Sequence, residues 1–403
     1  MLFDPRLIFV IIWMTQIIGH IFSGAVFNSL NAVTWAIIVI TISSFLFGSH
    51  ITLNTGLITK VIRQPANIDT SSSYIRWLTK VGPFLAGVYL LTTIYVFYWM
   101  LVQFKITGFS AKTYEFLRLA LINDFAGERK IASFLKVFFG GVGLSVYLTC
   151  YADKFSRLSR IIVLSTGFVS AVLTTGRLSL LLFFLAISFI YYRKQLVGRK
   201  GLLLFLLLFI IVFLTLAIIF NKGSGSASDS LIDQLIWNIM VYFLGGVSTL
   251  DHYIAYGIPV IDGGALLPNF VRTMLYPLAG EIPLKPSVYP FVSNPLASNT
   301  YTALFPVYHD LGVIGLVTFF FGLGAIHQAI YIKQKYEPKS GFIVYIYSLS
   351  LYPLVMTIFE EAYISSPGFW LTFLLIPTFI YLLYLINLLF LKPLINILTL
   401  RHT

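Results

Sequence analysis

The residues best equipped for chemistry sit together in Asn299-Thr-Tyr-Thr-Ala-Leu-Phe-Pro-Val-Tyr-His-Asp-Leu-Gly-Val-Ile-Gly315. His309 has the side chain whose unperturbed pKa, near 6.5, suits proton removal at neutral pH. Asp310 beside it would either orient that imidazole or cap the helix expected to follow. Asn299 and Tyr301 offer hydrogen bonds to a sugar, or serve as turn residues. Arg177 follows Thr174-Thr-Gly and is placed to clamp an anion, because guanidinium presents a planar fork of donors to phosphate oxygens; the alternative is an interfacial anchor paired with a carboxylate such as Glu360. Arg272, in Pro-Asn-Phe-Val-Arg-Thr-Met, is a second anion-binding candidate or a surface charge. Arg118 is a third, unless Glu115 three residues back simply pairs with it. Glu360 and Glu361 would bind sugar or pair with the arginines, and His252, next to Asp251, is a second candidate base.

Composition says what must position these groups. Of 403 residues, 58% are hydrophobic, 17% aromatic and only 10% charged, against roughly a quarter charged in soluble proteins. The expected fold is an all-α polytopic membrane protein. Ten apolar runs are candidate spans: Arg6–Phe22, Asn31–Phe47, Gly82–Phe104, Val137–Tyr151, Arg160–Thr175, Leu178–Tyr192, Gly201–Phe220, Leu311–Tyr331, Phe342–Phe359 and Phe369–Leu391. Arg6 leads directly into the first of them without a small-residue cleavage site, which reads as a retained helix. The net charge of +12 comes from basic residues set between apolar runs, so anionic lipid head groups, not nucleic acid, are the expected neighbours. The single cysteine, Cys150, excludes a disulfide framework, and no spacing suggests a metal or other cofactor.

With both termini cytoplasmic, most of the 27 Lys and Arg fall on the inner side, including the clusters at 193–200 and 333–339. The apolar stretch Leu231–Thr249 contains Asn238, Gly245 and Gly246, and counting it as a span would move Lys333, Lys335 and Lys339 outside. It is therefore expected as an interfacial or re-entrant helix on the outer face. Three regions result. Residues 1–220 form a membrane region of seven spans with an outer loop at 105–136, residues 221–309 a large proline-broken outer loop, and residues 310–403 a region of three spans. Gly140-Gly-Val-Gly143 and Gly322/Gly324 are expected to permit close helix packing.

The Asn299-Thr-Tyr-Thr and Pro306–Gly315 segments resemble the end of the large periplasmic loop in bacterial oligosaccharide repeat-unit polymerases, the Wzy-type O-antigen polymerases. The Thr175-Gly-Arg177-Leu-Ser-Leu-Leu turn and the layout of the chain are similar too. Some of these polymerases carry an Arg, ten residues, then Gly in two outer loops; here Arg129 and Gly140 have that spacing, whereas Arg177 and Arg272 do not. The resemblance implies a membrane-embedded C-type glycosyltransferase of polysaccharide or lipopolysaccharide biosynthesis in the bacterial inner membrane, with its active site on the periplasmic face. It would move a growing glycan from undecaprenyl pyrophosphate to the terminal hydroxyl of a new lipid-linked repeat unit. A separate chain-length-regulating co-polymerase would be its protein partner. The alternatives are an O-antigen ligase, transferring polymer to lipid A-core, and a flippase or other transporter for the same lipid-linked saccharide; few mid-span charges and no internal repeat speak against the last.

Overall fold

A computed structural model describes residues 2–24, 27–55, 72–103, 105–106, 130–174, 177–219, 231–261, 264–279, 289–293, 297–337 and 339–391. Arg118, Glu115, Arg129 and the Gly-Ser run at 223–226 lie outside these residues. Each of the ten apolar runs coincides with a helix: α1 (Pro5–Phe22), α2 (Ala32–Asn54), α3 (Ser72–Gln103), α4 (Lys130–Thr149), α5 (Arg157–Leu173), α6 (Arg177–Arg193), α7 (Arg199–Ile219), α10 (Leu304–Tyr336), α11 (Gly341–Met356) and α12 (Pro367–Ile386, continued by a π turn at Asn387–Leu391). Between α7 and α10 come α8 (Leu231–Tyr256), α9 (Asn269–Ala279) and a two-residue antiparallel pair, β1 (Val292–Ser293) with β2 (Ala297–Ser298). The protein is an all-α membrane protein. Among the described residues five helices are long and apolar enough to cross a bilayer: Pro5–Phe22, Ala32–Asn54, Ser72–Gln103, Leu304–Tyr336 and Pro367–Phe390.

The chain forms two compact units, each assembled from segments distant in sequence. One comprises Met1–Gln64, Leu208–Tyr336 and Leu349–Pro367; the other comprises Pro65–Leu207, Glu337–Ser348 and Gly368–Thr403.

In the first unit α2 and α10 are in backbone contact. A Cβ on Gly48 would overlap the Phe321 carbonyl oxygen, and one on Gly324 would overlap that of Phe45. Ser49 Oγ donates to both Phe45 O (2.9 Å) and Gly324 O (3.0 Å). Small residues at the crossing let dispersion and hydroxyl bonds act at short range, the usual basis of helix association in lipid. Gly322 faces open space and has no such role. Helix α1 closes the bundle through Phe9, stacked on Phe45 at 4.0 Å, and through wholly buried Trp13. Helix α8 is tied on by Asp251, which accepts from Asn31 N (2.7 Å) and Thr34 Oγ1 (2.5 Å) at the start of α2.

The second unit uses the same device. Glycines 140, 141 and 143 on α4 face Tyr89, Ser170, and Phe373 with Ile376, each too close for a side chain. Hydroxyls bridge the packed helices: Ser145 Oγ to Val163 O (2.6 Å), Thr166 Oγ1 to Ala86 O (2.9 Å) and Tyr74 to Tyr147 (2.8 Å). At the α4–α5 turn Asp153 pairs with Lys154 and Lys194, both at 3.2 Å.

Helices α3 and α4 begin ten and seven residues before their apolar runs, and a third early start bears on the site. Helix α10 starts at Leu304, seven residues before the apolar run at Leu311, so His309 and Asp310 lie inside it. The reason is burial: Leu304, Phe305 and Val307 are wholly enclosed in the core of the first unit. The helix is interrupted at Gly312 (φ 62°, ψ −158°), a conformation glycine adopts without strain.

Candidate functional site

The first unit brings together His309, Asp310, Arg272 and Tyr301. Asp310 does not cap a following helix. Its Oδ1 accepts the amide of Ala265 and its Oδ2 that of Leu266, both at 2.7 Å, from a loop some 45 residues earlier in the chain. Two successive N–H groups turned on one carboxylate form a concave anion seat. Gly264 makes the approach possible: its φ is +88°, and a Cβ there would stand 2.8 Å from Asp310 Oδ2.

His309 completes a dyad. Its Nδ1 lies 2.6 Å from Asp310 Oδ1, and both side chains are 14% exposed. A carboxylate accepts only, so the proton belongs on Nδ1 and the lone pair on Nε2. That nitrogen faces the Ile261 amide at 3.4 Å, beyond the usual 2.7–3.2 Å for N–H donors. An imidazole oriented by a carboxylate, with Nε2 only weakly engaged, is the arrangement required of a general base.

Arg272 fixes the same loop from its other side. The residue is 1% exposed; its Nε donates to Leu267 O at 3.0 Å, and its Nη2 donates to Gly264 O. Part of the guanidinium fork expected to meet an anion is therefore spent on loop carbonyls.

Aromatic rings back the dyad. Phe305 and Tyr253 have ring centroids 5.6 and 5.5 Å from that of His309. Tyr289, Tyr301 and Phe305 pack edge-on or tilted against one another, with ring centroids 4.7–5.7 Å apart. The Tyr301 hydroxyl, expected to bond a sugar, donates to Pro290 O at 3.0 Å, and burial pushes its pKa up to about 12. Tyr289 marks where charge converges: burial raises its pKa, Glu361, Asp310 and Glu360 add to the rise, and Arg272 opposes it. Asn299 and Glu360 are half-buried in the same unit. Glu361 is 5% exposed and accepts the amides of Tyr363, Ile364 and Ser365 at 2.7–2.8 Å, so it organises the turn before α12.

The segment carrying Asn299 and Tyr301 threads past α8 because Gly245 and Gly246 lack side chains. Ser298 Oγ lies 2.6 Å from where a Cβ of Gly245 would be, and Ile358 O 2.7 Å from that of Gly246. Thr249 Oγ1 donates to Thr300 O at 2.6 Å and Ala303 N to Thr357 O at 2.8 Å, which anchors both ends.

Arg177 opens α6 in the second unit, and its side chain, like all of Arg118, lies outside the described residues. His252 packs on Tyr256 at 4.6 Å and has no part in the dyad. Sequence reasoning missed Tyr253, Tyr289 and Phe305. The spacing of Phe305 and His309, four residues apart, was the available signal, since such positions share a helix face. No family model matches the chain, and no curated protein or solved structure is detectably similar to it.

Proposed function

We propose that this protein is a membrane-embedded glycosyltransferase that polymerises oligosaccharide repeat units carried on undecaprenyl pyrophosphate. In this reading the chain crosses the inner membrane ten times with both termini cytoplasmic, and the His309 site faces the periplasm. The observation that supports it best is the Asp310–His309 dyad, with Nε2 as acceptor, at the end of a helix long enough to span.

His309 Nε2 takes the proton of the acceptor's terminal hydroxyl as its oxygen attacks the anomeric carbon of the donor. The bond from that carbon to the pyrophosphate oxygen breaks, and undecaprenyl pyrophosphate leaves with the bonding electrons. The leaving group is anionic and already good, so positive charge near it matters more than a metal. Arg177 is the sequence's candidate for an anion clamp, Arg272 positions the loop over the dyad, and the aromatic cluster around Tyr253 and Tyr289 offers faces for sugar rings.

The test uses purified protein in detergent with synthetic lipid-linked repeat unit alone. Wild type yields a ladder of polymer and His309→Ala yields none, while both elute identically on size exclusion. A ladder undiminished by His309→Ala removes the base assignment. No ladder, but transfer once lipid A-core is supplied, replaces polymerase by ligase. Lipid movement across vesicles with neither product replaces enzyme by transporter.

A further inference from the structure

Helix α9 has two unlike faces. Arg272 points into the first unit, where it holds Gly264 and Leu267. Phe270, Met274 and Leu278 are exposed at 53%, 70% and 86%. Residues four apart advance only about 40° around a helix, so these three form one stripe, roughly opposite Arg272. Ile258 and Val260, in the segment leading to α9, are exposed at 57% and 73%.

A stripe of large apolar side chains on a helix anchored by a buried arginine needs an occupant. The helix has 11 residues, too short to cross a bilayer, which takes about 20. An amphipathic helix of this kind lies in the membrane plane with its apolar face among the acyl chains.

Continuity with the spanning surface points to the same occupant. The loop before α9 is bolted to Asp310, and the next residues of α10, Leu311 (56%), Ile314 (79%) and Val317 (41%), begin the exposed apolar side of a helix able to span. The exposed stripe of α9 is thus tied, through one carboxylate, to the level at which the lipid-facing wall of α10 starts.

We propose that α9 is an in-plane membrane-surface helix, seated at the boundary of head groups and acyl chains with Phe270, Met274 and Leu278 in the lipid. Lipid then holds one face of the helix, and Arg272 on the other face holds the loop over His309. The inference stands on the membrane-spanning character of α10 and is independent of the reaction assigned to the site.

The test places a nitroxide label at Met274→Cys, Leu278→Cys and Thr273→Cys, singly, in the full chain carrying Cys150→Ala and reconstituted into phosphatidylcholine–phosphatidylglycerol vesicles. Thr273 is exposed but off the stripe. Power-saturation spectroscopy compares relaxation by oxygen, which partitions into lipid, with that by a water-soluble nickel chelate. At 274 and 278 oxygen dominates severalfold, and at 273 the nickel chelate does. Nickel dominance at all three positions overturns the proposal. So does spin–spin broadening at 274 that vanishes on dilution with unlabelled protein, which assigns the stripe to a second copy. A labelled variant that fails to elute as wild type is replaced by Phe270→Cys, on the same stripe.

Discussion

Replacing Asp310 by Asn separates the carboxylate's hold on the loop from its hold on the base. In the native site Asp310 receives three bonds: Ala265 N and Leu266 N at 2.7 Å, and His309 Nδ1 at 2.6 Å. Asn keeps one carbonyl oxygen and turns an NH2 group toward a second donor. One charge-assisted bond, worth about 1.5–3 kcal/mol, is lost, and another becomes a neutral bond worth about 0.5–1.5 kcal/mol. The loop should therefore open more easily by about 2–4 kcal/mol. At a factor of ten per 1.4 kcal/mol, amide exchange in a peptide covering residues 264–268 should accelerate by about 30- to 700-fold. Hydrogen exchange read by mass spectrometry measures this directly and does not require the two units to unfold together. Exchange of Tyr363, Ile364 and Ser365, held by Glu361, should be unchanged and serves as the internal control. Acceleration below threefold at Ala265 and Leu266 would refute the argument that this carboxylate anchors the loop. His309→Ala leaves both amide bonds in place, so it should abolish turnover while leaving that peptide protected.

Three other outcomes follow from the same reasoning. Gly324→Ala drives a methyl into the Phe45 carbonyl and should lower the thermal midpoint in detergent, whereas Gly322→Ala, facing open space, should be neutral or slightly stabilising by up to about 1 kcal/mol. Burial by itself would raise the Asp153 carboxyl, but Lys194 and Lys154 outweigh it and hold the pKa below 3.8, so the stabilisation is complete above that value and disappears as pH falls through the lower folded one. The difference in thermal midpoint between wild type and Asp153→Asn should accordingly be largest at neutral pH and vanish in acid, and a gap independent of pH would reject the ion-pair account. Arg177→Lys keeps the charge and removes the planar fork; an anion clamp predicts at least about a tenfold loss of polymer formation with an unchanged melting curve, and full activity would reduce Arg177 to an anchor.

The helices were legible because lipid leaves a backbone no other way to satisfy its polar groups over a long apolar run. Each of the ten runs is helical for that reason, and the glycines at 140, 141, 143 and 324 were readable as packing positions. The start of α10 was not legible. Tyr308, His309 and Asp310 look like loop residues in sequence, and only the enclosure of Leu304, Phe305 and Val307 shows that the helix has already begun. Asp310 was expected to act locally, and besides its bond to His309 it accepts two amides from 44 and 45 residues upstream.

By itself the amino-acid sequence determined the class of protein, the helical segments and the stretch where ionisable groups concentrate, since each depends on hydropathy and local backbone needs. Tertiary structure alone decided the roles within that stretch. A carboxylate becomes a loop anchor, an arginine turns inward and a tyrosine is spent on a carbonyl only when a distant turn presents its polar groups at bonding distance. That turn depends on Gly264 holding a left-handed φ beside Asp310, a juxtaposition that no pattern of residues along one segment encodes.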